Sequence, residues 1–456
     1  MKKVSGRALC ALALAVVLVL GLAAFALKYA VSAGDWVTFP GSPHIYAGAN
    51  LDCGVVTDRA GALLLDTTDG RTYSENAATR ASTMHILGDR YGYISAPLLS
   101  VYADDLIGYS KVQGLYGQQL GDAAAQLTIS ADVQNAALSA LAGYRGTIGV
   151  YNYQTGEILC AVTSPSYDPD NMPDVENDTT GAYNGVYVNR LFSTTYTPGS
   201  IFKLVTAAAA LENIEDIQTR QFRCDGACVI GGQQIICNGV HGTLDFAAAL
   251  AHSCNVVFGQ VAQELGAKTL QKYAQKLGLT DSFSCDGYKT AAGVVDLSKA
   301  DDGDVAWAGI GQYTDQVNAY AFLRYMGVIA GGGEAAEPYL MQSVRVGESM
   351  RYEAETRTTG QLLGEQAAAQ LTVMMRNDVS SIYGDWQFGG LNVCAKSGTA
   401  EIEGQAAHAM FAGFVQDAAY PLAFVVFVEN GGSGSGVAAP IAAKVLAACV
   451  QAMANS

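Results

Sequence analysis

Ser200 and Lys203, in Thr197-Pro198-Gly199-Ser200-Ile201-Phe202-Lys203, form the chain's single Ser-x-x-Lys spacing and open a helix-like apolar run, Leu204 to Leu211. Residues three apart on a helix share a face, so the lysine amine reaches the serine hydroxyl one turn below. Pro198 and Gly199 mark the turn into that helix, whose free N–H groups and positive dipole end lie under Ser200. Both features favour a negatively charged oxygen, which is what a serine nucleophile requires. Two later segments carry related chemistry. Ser253-Cys254-Asn255 lies between two helix-like runs, and Lys396-Ser397-Gly398-Thr399 ends a short apolar strand. A second Ser-x-Asn, Ser74-Glu75-Asn76, precedes the nucleophile and reads as a surface turn. Singly, Ser200 reads equally as a helix cap, Ser253 and Asn255 as a helix-to-helix turn, and Lys396 as a solvated strand end. Their order in the chain weighs against three coincidences.

The elements that must hold these residues follow from hydrophobic periodicity. The pattern predicts an amphipathic helix over Ala131–Leu141 and strands over Gly146–Tyr153 and Glu157–Thr163, joined by Gln154-Thr155-Gly156. Helices are expected from Ser200, over Leu244–Leu265 with a break near Ser253, over Thr269–Leu277 and over Asn318–Ile329. Asn392–Lys396, Met410–Val415 and Phe424–Val428 read as strands, and Ala438–Met453 as a closing helix. A helical middle flanked by strands from both ends is an α+β pattern, with helices packed on a mainly antiparallel sheet.

Ala8 to Leu27 are 20 residues without a charge, bounded by Lys2, Lys3 and Arg7 before and Lys28 after. At about 1.5 Å per residue the run spans roughly 30 Å, one hydrocarbon core. The basic cluster before it places the N-terminus in the cytoplasm and the rest outside. A cleaved secretory signal ending at Val31-Ser32-Ala33 is the alternative. The 456 residues are 50% hydrophobic and carry 42 acidic against 26 basic side chains, a formal charge of −16. This length allows a large domain with a smaller companion, and the missing basic footprint excludes nucleic acid as a partner. An exported location bears on the ten cysteines. Cys53, Cys160, Cys394 and Cys449 sit singly in apolar stretches and read as core residues. Cys224, Cys228 and Cys237, with His241 behind them, invite zinc or a disulfide. Paired C-x-x-C knuckles are missing, so a Cys224–Cys237 disulfide closing the loop is the favoured reading, and neither a metal nor a cofactor is expected.

Ser200-x-x-Lys203, Ser253-x-Asn255 and Lys396-Ser397-Gly398 stand in the order of the serine penicillin-recognising enzymes. From about Leu127 to the end the chain resembles a class B penicillin-binding protein of the short type, without C-terminal accessory modules. The likeness includes Gln154-Thr155-Gly156-Glu157-Ile158, Ser164-Pro165-Ser166-Tyr167-Asp168-Pro169, Asn189-Arg190, Tyr196-Thr197-Pro198-Gly199, His241-Gly242, Gly309-Ile310-Gly311-Gln312, Gly331-Gly332-Gly333, Thr399-Ala400-Glu401 and His408-Ala409-Met410-Phe411. Ile201 and Cys254 are mild departures at positions that touch no reacting group. The resemblance implies a penicillin-binding transpeptidase or serine β-lactamase-like fold with an all-helical subdomain. It also implies a D,D-transpeptidase that acylates Ser200 with D-Ala-D-Ala stem peptides, and an oxyanion hole at the backbone N–H groups of Ser200 and Thr399.

Beside that resemblance, the residue types fit acyl transfer. Ser200 is the nucleophile, and Lys203 is its base if helix start, partial burial and the second cation Lys396 push the amine pKa down. Ser253 relays a proton towards the leaving amine, and Asn255 holds Lys203 and the substrate amide. Lys396, Ser397 and Thr399 suit the substrate carboxylate, with Gly398 leaving room for substrate backbone. The expected organisation is a tail at 1–7, a membrane helix at 8–30, a non-catalytic pedestal at 31–125 and the transpeptidase domain at 126–456. A glycosyltransferase does not fit between span and transpeptidase. Expected partners are peptidoglycan stem peptides, β-lactams, the membrane, and a cell-wall polymerase or division or elongation proteins. A D,D-carboxypeptidase, a serine β-lactamase or β-lactam sensor, and a catalytically silent scaffold are the competing functions. His241 and His408 read as structural, because no partner is evident that would make either a base.

Overall fold

A computed structural model describes residues 2–37, 46–47, 50–51, 54–68, 70–107, 123–141, 143–402 and 404–454. At its centre five antiparallel strands run in the order Val393–Ala400, His408–Val415, Leu422–Val428, Gly146–Asn152, Ile158–Ser164. Successive side chains of a strand point to opposite faces, and here each face meets its own core. Met410, Ala412, Phe414, Ala423, Val425 and Phe427 pack into one apolar cluster, while Ala409, Phe411, Val415, Phe424, Val426 and Val428 pack into the other. The second face is covered by the helices Ala131–Leu141 and Ala439–Ala454. The first is covered by a larger helical group that includes Lys203–Asn213, Asn255–Lys276, Ala319–Ala330 and Glu365–Asp378. The result is a sheet with helices on both faces, the α+β architecture the pattern predicts.

Observed elements lie close to the expected ones. Ala131–Leu141 is the predicted helix, and the break near Ser253 separates the helix Phe246–Ala251 from Asn255–Lys276. The strand after Asn392 runs further than its apolar residues suggested, through Ala400, because pairing with His408–Val415 satisfies the backbone of its polar half. The segment read as a loop around the cysteines is instead two short antiparallel pairs, Gln221–Cys224 with Gly242–Asp245 and Ala227–Ile230 with Gln233–Ile236. Ser74-Glu75-Asn76 is a helix start: the Asn76 side chain accepts from the N–H groups of Ala78 and Thr79 and caps the helix Ala77–Leu87.

A six-stranded sheet runs Ser349–Glu353, Met341–Val346, Ala123–Leu127, Val55–Thr57, Leu63–Asp66, Thr72–Tyr73. Ala123–Leu127 spans the expected 125/126 boundary and pairs with Met341–Val346 on one side and, in parallel, with Val55–Thr57 on the other. Residues before and after the boundary therefore share one sheet. Cys53 and residues 108–122 of the pedestal lie outside the described residues. The N-terminal helix Lys2–Val37 contains an apolar stretch, Val4–Ser32, long enough to cross a membrane, with its large side chains exposed. That combination suggests a membrane anchor.

Candidate active site

Ser200 sits in a single 3-10 turn, Gly199–Phe202, that leads directly into the helix Lys203–Asn213. The turn is forced close to the edge strand of the central sheet. Gly199 has φ +53°, and a Cβ there would lie 2.6 Å from the Thr399 carbonyl oxygen, so only glycine fits. Its N–H donates to the Gly311 carbonyl at 2.9 Å, which fixes the turn from the other side. Beyond it, Leu204, Val205 and Ala207 to Ala210 are fully buried, anchoring the serine to the core through an alanine-rich helix.

Lys203 is fully buried. Its Nζ lies 2.6 Å from the Ser253 carbonyl oxygen, 2.7 Å from Asn255 Oδ1, and 3.0 Å from both Ser200 Oγ and Ser253 Oγ. Two of these partners can only accept and two are hydroxyls. A neutral amine, with two N–H donors and one lone pair, donates to the two carbonyl oxygens and accepts from a hydroxyl. Burial, with the charge of Lys396 adding to it, pushes the Lys203 pKa well down and favours that neutral form. Ser253 is held at φ +52°, a left-handed conformation rare for serine, at the break between two helices. Asn255 Nδ2 donates to the Ile236 carbonyl at 2.8 Å, which turns Oδ1 towards Lys203 and occupies one amide hydrogen expected to face substrate.

Lys396 is also fully buried, 2.9 Å from the Ser397 carbonyl oxygen and 3.4 Å from the Tyr383 hydroxyl. Ser397 bonds the same hydroxyl twice, through its N–H at 3.1 Å and Oγ at 3.0 Å. Thr399 Oγ1 accepts from Gly434 N–H at 3.4 Å. Ser200, Asn255 and Thr399 border one cavity of about 270 Å³, together with Ile236, Cys237, Asn238, Trp307 and Gln312. One residue from each of the three distant segments, Ser200, Asn255 and Thr399, thus borders the same opening.

Two expectations change. Gly398 faces protein: a Cβ there would lie 2.9 Å from Ile201 Cγ2 and 3.1 Å from the Pro198 carbonyl oxygen, so the glycine admits the serine turn against the strand. The Cys224–Cys237 disulfide is not formed, and both residues are free thiols. The second pair of short strands carries Cys237 past Cys224 to Cys254, with the two Sγ atoms 3.8 Å apart. His408 receives the Asn430 N–H at Nδ1, 3.1 Å, in a structural contact, whereas His241 Nδ1 lies 3.6 Å from Cys237 Sγ. Tyr383 carried no sequence signal, because it reaches the strand from the end of a separate helical segment, Val379–Tyr383. Asp378, just before it, is buried with no hydrogen-bond partner for either oxygen among the described residues, and burial pushes its pKa up to about 8 against the opposing charge of Lys396.

The penicillin binding protein transpeptidase domain family matches residues 146–447, which include every residue of this cavity. The chain belongs to that family. It is 27% identical over 337 residues to peptidoglycan D,D-transpeptidase PbpA of Mycobacterium tuberculosis, covering 67% of each chain. To PbpA of Mycolicibacterium smegmatis it is 26% identical over 387 residues, covering 76% of this chain and 79% of the relative. The solved structure of penicillin-binding protein A from M. tuberculosis as a penicillin G acyl-enzyme complex superposes with a TM-score of 0.75 at 26% identity, covering 88% of this chain and all (100%) of that one.

Proposed function

We propose that this protein is a membrane-anchored peptidoglycan D,D-transpeptidase in which Ser200 is the acylated residue. The Lys203 amine within 3.0 Å of Ser200 Oγ, buried and depressed in pKa, carries the reading. Ser200 Oγ attacks the carbonyl carbon between the two D-alanines while its proton passes to neutral Lys203. The tetrahedral oxyanion is held by the N–H groups of Ser200 and Thr399. The C–N bond then breaks, and the departing D-alanine amine takes a proton from Lys203 through Ser253, leaving the acyl ester on Ser200. An amine of a neighbouring stem peptide attacks the ester carbon and loses a proton to Lys203; the C–Oγ ester bond then breaks and Lys203 returns the proton to Ser200 Oγ, which completes the cross-link and restores the enzyme. Asn255 holds Lys203, while Ser397 and Thr399 receive the substrate carboxylate, with the charge of buried Lys396 behind them.

A β-lactam presents its carbonyl to the same serine and stops at the ester. The names of the mycobacterial relatives, and of more distant ones called FtsI and MrdA, all include peptidoglycan D,D-transpeptidase and support cross-linking over hydrolysis. We retain the division into tail, membrane helix, pedestal and transpeptidase domain as a proposal, and assign the strands Met341–Val346 and Ser349–Glu353 to the pedestal because they share its six-stranded sheet. Lys2, Lys3 and Arg7 before the uncharged run support a cytoplasmic N-terminus, and the packing of the other long apolar helix, Ala439–Ala454, against the central sheet supports a single pass. The test is a labelled β-lactam on the whole protein followed by peptide mapping. Label on Ser200, lost in Ser200→Ala, is expected; label on another residue, or none, overturns the mechanism. A donor peptide with an amine acceptor should give more cross-linked than hydrolysed product, and the reverse would make the enzyme a carboxypeptidase.

A further inference from the structure

The Ser253–Asn255 loop has two sides. Ser253 and Asn255 face Lys203, and Cys254 between them faces the opposite way, into the strands around Cys224 and Cys237. Cys224, Cys237 and Cys254 Sγ and one ring nitrogen of His241 all lie within 4.8 Å of one another. Within this group the Cys237–Cys254 Sγ distance is 3.8 Å and that from Cys237 Sγ to His241 Nδ1 is 3.6 Å. Sulfur ligands about 2.3 Å from a tetrahedral ion stand roughly 3.8 Å apart, whereas a disulfide closes to about 2.04 Å. The two contacts at Cys237 have the spacing of a coordination shell, and the remaining ligand atoms lie within 4.8 Å of them.

We propose that Cys224, Cys237, His241 and Cys254 hold a structural zinc ion that clamps the Ser253–Asn255 loop against the strands walling the cavity. Zinc is favoured over a harder cation because three thiolates and an imidazole are soft and borderline donors in a closed four-ligand set. The surroundings are built for thiolates. Asn255 N–H, at the start of the helix Asn255–Lys276, points at Cys237 Sγ from 3.3 Å, so the positive helix end faces the sulfur. The His241 ring stacks on His252, with ring centroids 5.1 Å apart, which sets its orientation. Cys228 lies close in sequence but packs with Ile230, Ile235 and Trp307 and is not a ligand. On binding, Zn²⁺ displaces three thiol protons to solvent, leaving a site of net charge −1.

Its consequence for catalysis rests on the acylation reading above; the metal site itself does not. Cys254 is covalently between Ser253 and Asn255, and Cys237 and Asn238 line the cavity. A zinc ion there fixes the left-handed Ser253 conformation and the position of Asn255 Oδ1, so it is a positioning device.

The experiment starts with the full-length protein, purified in detergent without added reductant or metal, and measures zinc by mass spectrometry. One zinc per chain is expected, with loss in Cys224→Ser/His241→Ala. Exchange of the wild-type protein with Co²⁺ should give thiolate-to-cobalt charge-transfer absorption, a readout that does not depend on any variant folding. No retained zinc together with no uptake of added Zn²⁺, or a disulfide mapped among Cys224, Cys237 and Cys254, overturns the site. Stripping the zinc with a chelator should slow β-lactam acylation about tenfold, with recovery on returning Zn²⁺. Unchanged acylation after verified removal overturns the positioning role, while metal content is read independently of whether Ser200 reacts.

Discussion

Two clusters, one buried and one partly buried, flank the same three residues, and they differ in what completes them. On the Ser253 and Asn255 side, one Lys203 nitrogen has four polar partners at 2.6 to 3.0 Å, so the cluster is closed around an atom of the chain itself. On the Cys254 side, four ligand atoms converge on each other from three segments. Buried polar groups are costly unless paired, and the two clusters meet that requirement differently: one with a side chain, the other with a proposed ion. A third buried group, Asp378 near Lys396, has no hydrogen-bond partner among the described residues and is accommodated by taking up a proton.

Substitutions separate these cases. Ser200→Ala should remove covalent β-lactam labelling entirely, with unchanged folding by circular dichroism. Lys203→Met should lower the acylation rate by about 10⁴-fold, in line with loss of a base acting as a unit with its nucleophile. In the wild type the acylation rate should rise with pH through a Lys203 pKa well below that of free lysine, because only the neutral amine accepts the serine proton. A rate independent of pH from acid to alkaline would remove Lys203 as the base. Asn255→Ala deletes one contact of the closed cluster and should cost about 10²-fold in acylation, comparable to losing one preorganised polar group in an active site. If it cost no more than zinc removal, the Asn255 side of the loop would contribute no more than the Cys254 side. Tyr383→Phe removes the hydroxyl shared by Ser397 and Lys396, and should raise KM for a stem peptide about tenfold, near the worth of one or two hydrogen bonds.

The effect on the reaction is smallest at Asp378, whose consequence is for stability. Its folded-state pKa, raised to about 8 from an ordinary 3.8, means the folded chain keeps a proton that the unfolded chain has released. Stability from this group is therefore lost as pH rises from about 4 to about 8. Asp378→Asn should flatten the fall in Tm over that window, and an identical pH dependence in variant and wild type would show that the carboxyl is ionised when folded.

Much of the site was legible because its signals are local. Ser200 and Lys203 share a helical face by spacing, and Ser253 breaks two apolar helical runs at a visible point. The strand ending in Lys396-Ser397-Gly398-Thr399 announces itself by its apolar start, although its full length appears only when His408–Val415 pairs with it. The role of Gly398 was misread because a glycine in a strand signals close approach without saying by what. The N-terminal sheet was illegible for a different reason: its strands are short, and one of its pairings brings Ala123–Leu127 to Met341–Val346, across nearly half the chain.

From its sequence alone this protein already had a serine–lysine pair, an ordered set of three motifs, an apolar N-terminal span and a helix-covered antiparallel sheet, since each depends on residues close in the chain or on their periodicity. Only the tertiary structure decided that Lys203 is enclosed, that Tyr383 supports the Lys396 strand, and that Cys254 turns away from Lys203 towards Cys224, Cys237 and His241. Burial and ligand convergence depend on segments tens to hundreds of residues apart folding onto one another, and periodicity carries no record of those distances.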